Sequence, residues 1–310
     1  MLMLTLALLA GPVTTEIVLP AQPAPLHGTL LTPENPMAVA VILPGSGPTN
    51  RDGNSPLGIS ASTYRLLAEG LAAQGIATVR MDKRGVAASA AAGGAESDLR
   101  FDAYVADARA WAAEAASHAD QPCAWLIGHS EGALIALKAV EGGGPDSSKV
   151  CGLVLLSGAG RPAGVVIREQ MAALPEPMKT QAFAALTELE AGRTVADTPP
   201  ALAALFRPSV QPYLISWLPL DPAALIAAYD GPVFIGQGTT DIQVTTTDAQ
   251  ALAAADPGAT LKLWDGVNHV LKTAPADRAA NLATYADPAL PLAPGVVDEV
   301  VGFITAHPKR

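Results

Sequence analysis

The chain has 310 residues, half of them apolar and only 15% charged, with a formal net charge of −10. That is ample for one α/β domain with an insertion, or for two domains. The acidic balance excludes nucleic acid and anionic membrane as partners, because both demand a basic face.

Residues 1–10 form an apolar run too short to span a bilayer. It is similar to the apolar region of a signal peptide, but no Lys or Arg precedes it. We read residues 1–12 as a signal-peptide remnant, which leans the localisation toward export to the periplasm, with the cytoplasm as alternative. No other stretch predicts stable membrane insertion. Strands are expected over 15–20 and 27–32, joined by a Pro-rich turn and antiparallel. The apolar run 38–43 reads as a strand covered on both faces, ending in the polar loop Pro44-Gly45-Ser46-Gly47-Pro48. A helix over 62–74, a strand over 76–81 and the loop Asp82-Lys83-Arg84-Gly85 follow, then a helix over 101–117.

Two further strands open at Cys123 and Cys151, the chain's two cysteines, which are too few for a disulfide framework or a cysteine-based zinc site. If these strands lie side by side the sulfurs can meet, and either a bridge or two buried thiols fits. Strand and helix alternate with short links to this point, the pattern of a mostly parallel sheet with helices on both faces. From 162 to 229 the pattern is helical and punctuated by prolines, and it reads as a helical cap insertion over one end of the sheet. The alternation then resumes with a strand over 232–236, a helix over 247–255, a strand over 260–264 and a helix over 294–306. The expected core is therefore 13–161 with 230–310, built on eight strands.

Gly128-His129-Ser130-Glu131-Gly132 carries the most information. It lies between an apolar strand and a good helix former, so Ser130 is expected on a sharp strand-to-helix turn that exposes its hydroxyl. A serine needs a base within reach. His27, His118 and His129 precede Ser130, His307 lies in the tail, and His129 should turn back into the protein. His269, after the last predicted strand, is the candidate base. Asp241, in the loop after the 232–236 strand, is the candidate for orienting it, with Asp265 as runner-up. The order Ser130, Asp241, His269 suits a triad. The oxyanion needs two donors, expected from the backbone N–H of Glu131 and from that of Ser46, with Gly47 the alternative to Ser46. The same Gly-rich loop lacks the Gly-Lys-Ser/Thr ending of a phosphate cradle. Asp82 and Arg84 are read as bracing their loop, Glu131 as hydrogen-bonding locally, and Arg51 and Asp52 as reaching the pocket or pairing with each other. No cofactor and no metal are implied.

These motifs resemble the α/β-hydrolase superfamily along nearly the whole chain. Gly128 to Gly132 is similar to its nucleophile elbow, Asp241 and His269 match its acid and base positions, Pro44 to Gly47 its oxyanion loop and Asp82 to Gly85 its Asp-x-Arg-Gly element. More narrowly, residues 43–54 with Gly-His-Ser-Glu-Gly resemble bacterial serine aminopeptidase-like or lysophospholipase-like hydrolases. The resemblance implies a cofactor-independent serine hydrolase of carboxylic esters, acting on a small-molecule acyl substrate with an apolar portion. Alternatives are an aminopeptidase or amidase, which would use cap acids such as Glu169, Glu176, Glu188 or Glu190 to hold an ammonium, a thioesterase, and a non-catalytic binding protein of the same fold. The oligomeric state is not readable from the sequence.

Overall fold

The computed structural model describes residues 11–144 and 147–308, so the apolar run over 1–10 lies outside the described residues. Eight strands form one sheet: β1 (Val13–Leu19), β2 (Leu26–Thr32), β3 (Ala38–Leu43), β4 (Ile76–Met81), β5 (Ala124–His129), β6 (Val150–Leu156), β7 (Val233–Gly238) and β8 (Thr260–Trp264). Their spatial order is β1-β2-β4-β3-β5-β6-β7-β8. β2 pairs antiparallel with both β1 and β4, and every other neighbouring pair is parallel. The mostly parallel, eight-stranded architecture is the one the sequence predicts.

The central strands are apolar on both faces because helices cover both. Val39, Val41 and Leu43 point to one side, packing with α2 (Phe101–His118) and α3 (Glu131–Val140). Ala40 and Ile42 point to the other, packing with α1 (Thr63–Ala73) and α11 (Val296–Ala306). This is the period-two alternation of a strand, read here as two apolar sets rather than one apolar and one polar set. The chain runs from β3 through α1 to β4 on one side, then through α2 to β5 on the other. The strand order therefore reverses between β3 and β5, and an open α/β sheet has its crevice at the carboxyl ends of such strands.

Between β6 and β7 lie α4 (Ala163–Met171), α5 (Met178–Glu190), α6 (Ala203–Phe206), α7 (Gln211–Trp217) and α8 (Pro222–Ala227). Ile167, Leu186, Phe206 and Leu214 build an apolar cluster of their own there. The last of these helices differs: Leu225 and Ile226 join the core of the sheet. β7 also runs two residues further than expected. The Gly-Gln-Gly sequence at its end reads as loop, yet Gln237 and Gly238 pair with Leu263 and Trp264 of β8. Beyond β7 come α9 (Thr246–Ala255) and, after β8, the short α10 (Arg278–Ala283), which no periodicity announces and which the Asp277 carboxylate caps by accepting from the Ala280 N–H at 2.9 Å. Cys123 and Cys151 are bridged, with Cα atoms 5.3 Å apart, joining the amino-terminal ends of β5 and β6.

Candidate active site

The switch point between β3 and β5 brings two turns together. β5 ends at His129 and α3 begins at Glu131, leaving one residue, Ser130, to reverse direction at φ 55° and ψ −121°. A non-glycine residue at positive φ is strained, and the close packing around the turn maintains it. A Cβ on Gly128 would lie 2.2 Å from the Gly132 carbonyl oxygen, and one on Gly132 would lie 2.2 Å from the Leu43 carbonyl oxygen. Only glycine fits at either position, so the pentapeptide spacing is a packing requirement of β3, β5 and α3.

Asp241 and His269 come together from the loops after β7 and β8. His269 Nδ1 donates to Asp241 Oδ2 at 2.8 Å, and both side chains are buried. The other carboxylate oxygen accepts from the backbone N–H groups of Gln243 (2.8 Å) and Val244 (3.0 Å). Gln237 Nε2, at the end of β7, adds a bond to Oδ2 at 3.1 Å. Burial alone would raise the Asp241 pKa, but His269 and the two backbone donors outweigh it and hold the carboxyl below its ordinary value. With Nδ1 as donor, His269 Nε2 is left as the basic nitrogen. Ser130 and His269 wall the same cavity without a direct hydrogen bond between them among the described contacts. The runner-up, Asp265, is exposed and accepts from Thr239 Oγ1 at 3.1 Å, away from His269.

His129 turns into the protein, as expected of it. Its Nε2 donates to the His269 carbonyl oxygen at 2.7 Å, and its Nδ1 accepts from the Tyr64 hydroxyl at 2.9 Å. Tyr64 in turn accepts from the Gly45 N–H at 2.9 Å. Complete burial, reinforced by the neighbouring His269, lowers the His129 pKa to about 3 and so keeps the ring neutral. Burial also pushes the Tyr64 phenol far above its usual range. Neither role was visible in the sequence for Tyr64, a single aromatic near the start of a helix.

The Gly45 to Gly47 loop faces the elbow. Ser46 is exposed at the cavity, and its carbonyl accepts from Thr49 Oγ1 at 3.1 Å. Gly47 takes φ 72° and its carbonyl accepts the Thr49 N–H at 2.9 Å. Among the described residues, no protein acceptor engages the N–H of Ser46 or Glu131.

Three side-chain expectations need correction. Glu131 is not locally bonded: its carboxylate meets Lys83 Nζ, 48 residues away in sequence, at 3.4 Å in a fully buried pair. Arg51 and Asp52 neither pair with each other nor wall the cavities at Ser130. Arg51 binds Asp82 and Glu16, and Asp52 binds Arg80. Glu16 of β1, Arg80 of β4 and Asp82 just after β4 supply better-placed partners than the adjacent residue can. Asp82 and Arg84 do brace their loop, the latter by a two-pronged pair with Asp107.

Two cavities open at Ser130. One of about 80 Å³ is walled by Tyr64, His269, Val270 and Tyr285. The other, of about 110 Å³, is walled by Leu134, Val166, Ile167 and Trp217. Ser46, Ser130 and Gln243 border both. Among the described residues no group of three or more His, Cys, Asp or Glu could hold a metal ion, and no helix is long and apolar enough to cross a membrane.

Comparison with known proteins gives the same architecture. Residues 57–196 match the family model described as serine aminopeptidase (S33). No curated protein matches the chain. Among solved structures, Est1E from Butyrivibrio proteoclasticus is 17% identical with a TM-score of 0.59, over 96% of this chain and 100% of that one. The esterase Pf2001 of Pyrococcus furiosus is 15% identical with a TM-score of 0.58, over 96% and 94%. A dienelactone hydrolase from Anabaena variabilis is 14% identical with a TM-score of 0.55, over 97% and 100%. Identities this low speak to the fold. Together with the sheet order, they show that the chain has the α/β-hydrolase fold.

Proposed function

We propose that the protein is a serine hydrolase that cleaves carboxylic esters through Ser130, His269 and Asp241. The observation that carries this reading is the convergence at one crevice of a strained, cavity-lining serine and a histidine whose Nδ1 is held by a buried carboxylate. Ser130 Oγ attacks the substrate carbonyl carbon while its proton passes to His269 Nε2. The carbonyl oxygen becomes an oxyanion, held by the N–H groups of Ser46 and Glu131. The tetrahedral intermediate expels the alcohol, which takes the proton from His269 and leaves an acyl-enzyme. Water then attacks the acyl carbon, its proton going to His269 and finally back to Ser130 as the acid departs. Asp241 keeps the imidazole in the tautomer that makes Nε2 the base, and stabilises the imidazolium formed at each step.

Because His269 must protonate the leaving alcohol, the cavity beside it suits the alcohol portion. The apolar cavity of Leu134, Val166, Ile167 and Trp217 then suits the acyl chain. The esterase Pf2001 and Est1E, one of whose structures carries ferulic acid, share the fold, in line with an ester substrate. The description of the matching family names the amide alternative, but the cap acids that reading would use are paired. Glu169 is paired with Arg161, Glu176 with Lys179, Glu188 with Arg193 and Glu190 with Arg168.

The test is steady-state hydrolysis of p-nitrophenyl esters beside aminoacyl-p-nitroanilides. Ester turnover is expected to exceed anilide turnover, and Ser130→Ala should lower kcat by about 10⁴-fold or more. Turnover that survives in Ser130→Ala refutes the mechanism, and activity confined to anilides moves the protein to the amidase class.

A further inference from the structure

Lys83 is a buried cation that the mechanism above leaves unused. Its Nζ donates to the Gly45 carbonyl at 2.6 Å, lies 3.4 Å from Glu131 Oε1 and sits 5.1 Å above the centre of the Tyr104 ring. Its side chain is 3% exposed, as is that of Glu131. Removing both charges from water is costly, so replacing such a pair by apolar residues is often neutral or stabilising. Stability is therefore a weak reason for this arrangement.

Its placement gives a stronger one. Gly45 and Ser46 share a peptide unit, and that bond is not among the cis peptides. In a trans peptide the C=O and the following N–H point in opposite directions. A donor that holds the Gly45 oxygen therefore fixes the Ser46 N–H in the reverse direction. The preceding Gly45 N–H is already taken by Tyr64, so the residue is gripped from both sides. Hydrogen bonds in series also polarise one another, so a cation on the carbonyl strengthens the N–H on the far side of the same peptide. The carboxylate that pairs with Lys83 belongs to Glu131, whose N–H is the other proposed oxyanion donor.

We propose that Lys83 is a positioning residue for the oxyanion hole: it aims the Ser46 N–H through the Gly45 carbonyl and, through Glu131, ties the loop after β3 to the start of α3. This rests on the serine-hydrolase reading above. Lys83 touches no reacting atom. Its effect is on the geometry and strength of donors that matter most when the carbonyl oxygen carries full negative charge, so it acts on the transition state more than on bound substrate.

The experiment is kinetic, on the full chain. Lys83→Met should lower kcat by about 10- to 100-fold with KM within about twofold, somewhat less than the loss of an oxyanion donor itself. It should weaken an arylboronic acid, which mimics the tetrahedral state, by a similar factor, while a non-reactive substrate analogue binds as before. Lys83→Arg, which keeps a cationic donor, should recover part of kcat. Because Lys83→Met strands a buried carboxylate, Lys83→Met combined with Glu131→Gln is measured beside it. The double variant removes the lone charge, and kcat should stay low. Ester turnover abolished by Ser130→Ala but unchanged in folded Lys83→Met, or a rise in KM with kcat intact, overturns the positioning role alone. Ester turnover that persists in Ser130→Ala overturns the serine reading and this proposal with it.

Discussion

His129 occupies the most demanding position in the elbow after the serine itself. It is enclosed, and its two ring nitrogens serve two partners that fix one tautomer: the His269 carbonyl needs a donor and the Tyr64 hydroxyl needs an acceptor. Protonation would turn Nδ1 into a second donor facing a hydroxyl already committed to it. The folded-state pKa of about 3 lies below the ordinary value of 6.5. The unfolded chain therefore binds a proton that the native state refuses. Stability from this group is complete above pH 6.5 and is lost progressively as the pH falls toward 3. Between pH 7 and 4.5 that amounts to about 3 kcal/mol. Denaturant unfolding at the two pH values measures it, and His129→Gln, which retains one donor and one acceptor, should lose that much less stability on acidification. An equal pH dependence in the variant would contradict this account. The same ring shows how far the site is legible in sequence. Ser130, Asp241 and His269 stand out because each follows a strand in a short loop, so local pattern alone places them at one sheet edge. Tyr64, Lys83 and Gln237 are not legible in this way. Tyr64 and Lys83 meet Gly45 across separations of 19 and 38 residues, and those approaches exist only once β3, β4 and α1 are packed.

At the scale of elements, the strands were the readable part. Runs such as Ala38–Leu43 and Val150–Leu156 are apolar on both faces, the pattern of a covered, parallel strand. The turns at Ala87–Ala92 and Glu96–Asp98 were not readable, because a stretch of alanine and glycine has no periodicity to show. Nor was the pairing of the cysteines, which depends on the register of β5 against β6 rather than on either strand. That bridge closes a span of 28 residues and joins the amino-terminal ends of the two strands, at the opposite end of β5 from Ser130. Constraining a loop of this length in the unfolded chain is worth roughly 3 to 4 kcal/mol in the chain-entropy picture. Replacing both cysteines by alanine should therefore lower the unfolding free energy by about that amount. In the folded enzyme, kcat and KM should stay unchanged. Thermal unfolding with and without reductant, beside ester kinetics at 25 °C, separates the two effects; a fall in kcat would mean that the strand ends communicate with the elbow.

For the molecule as a whole, the proposed mechanism makes the two cavities at Ser130 set the size of what can react. An apolar cavity of roughly 150 Å³ accommodates benzene, so one of about 110 Å³ suits a short acyl chain. Among p-nitrophenyl esters, kcat/KM should be highest for acyl chains of about two to six carbons and at least about 10-fold lower at twelve. Val166→Ala should shift the optimum toward longer chains. A flat profile across all lengths would show that the helices over the crevice do not enclose the acyl group. Those helices leave the sheet after β6 and return to it at β7, and β6 and β7 are hydrogen-bonded neighbours, with Leu153 opposite Val233. Because the two strands are parallel, the excursion departs from the carboxyl end of β6, and α8, packed on the core, carries the chain back to the amino end of β7. The length and content of the helices before α8 are free to change while the strands beneath keep their register, provided that α8 keeps its footing in the core. Under the proposed function, the fold thereby separates the inheritance of a mechanism from the inheritance of a diet: new substrates would be acquired by rewriting the arch, with the frame that breaks the bond left intact.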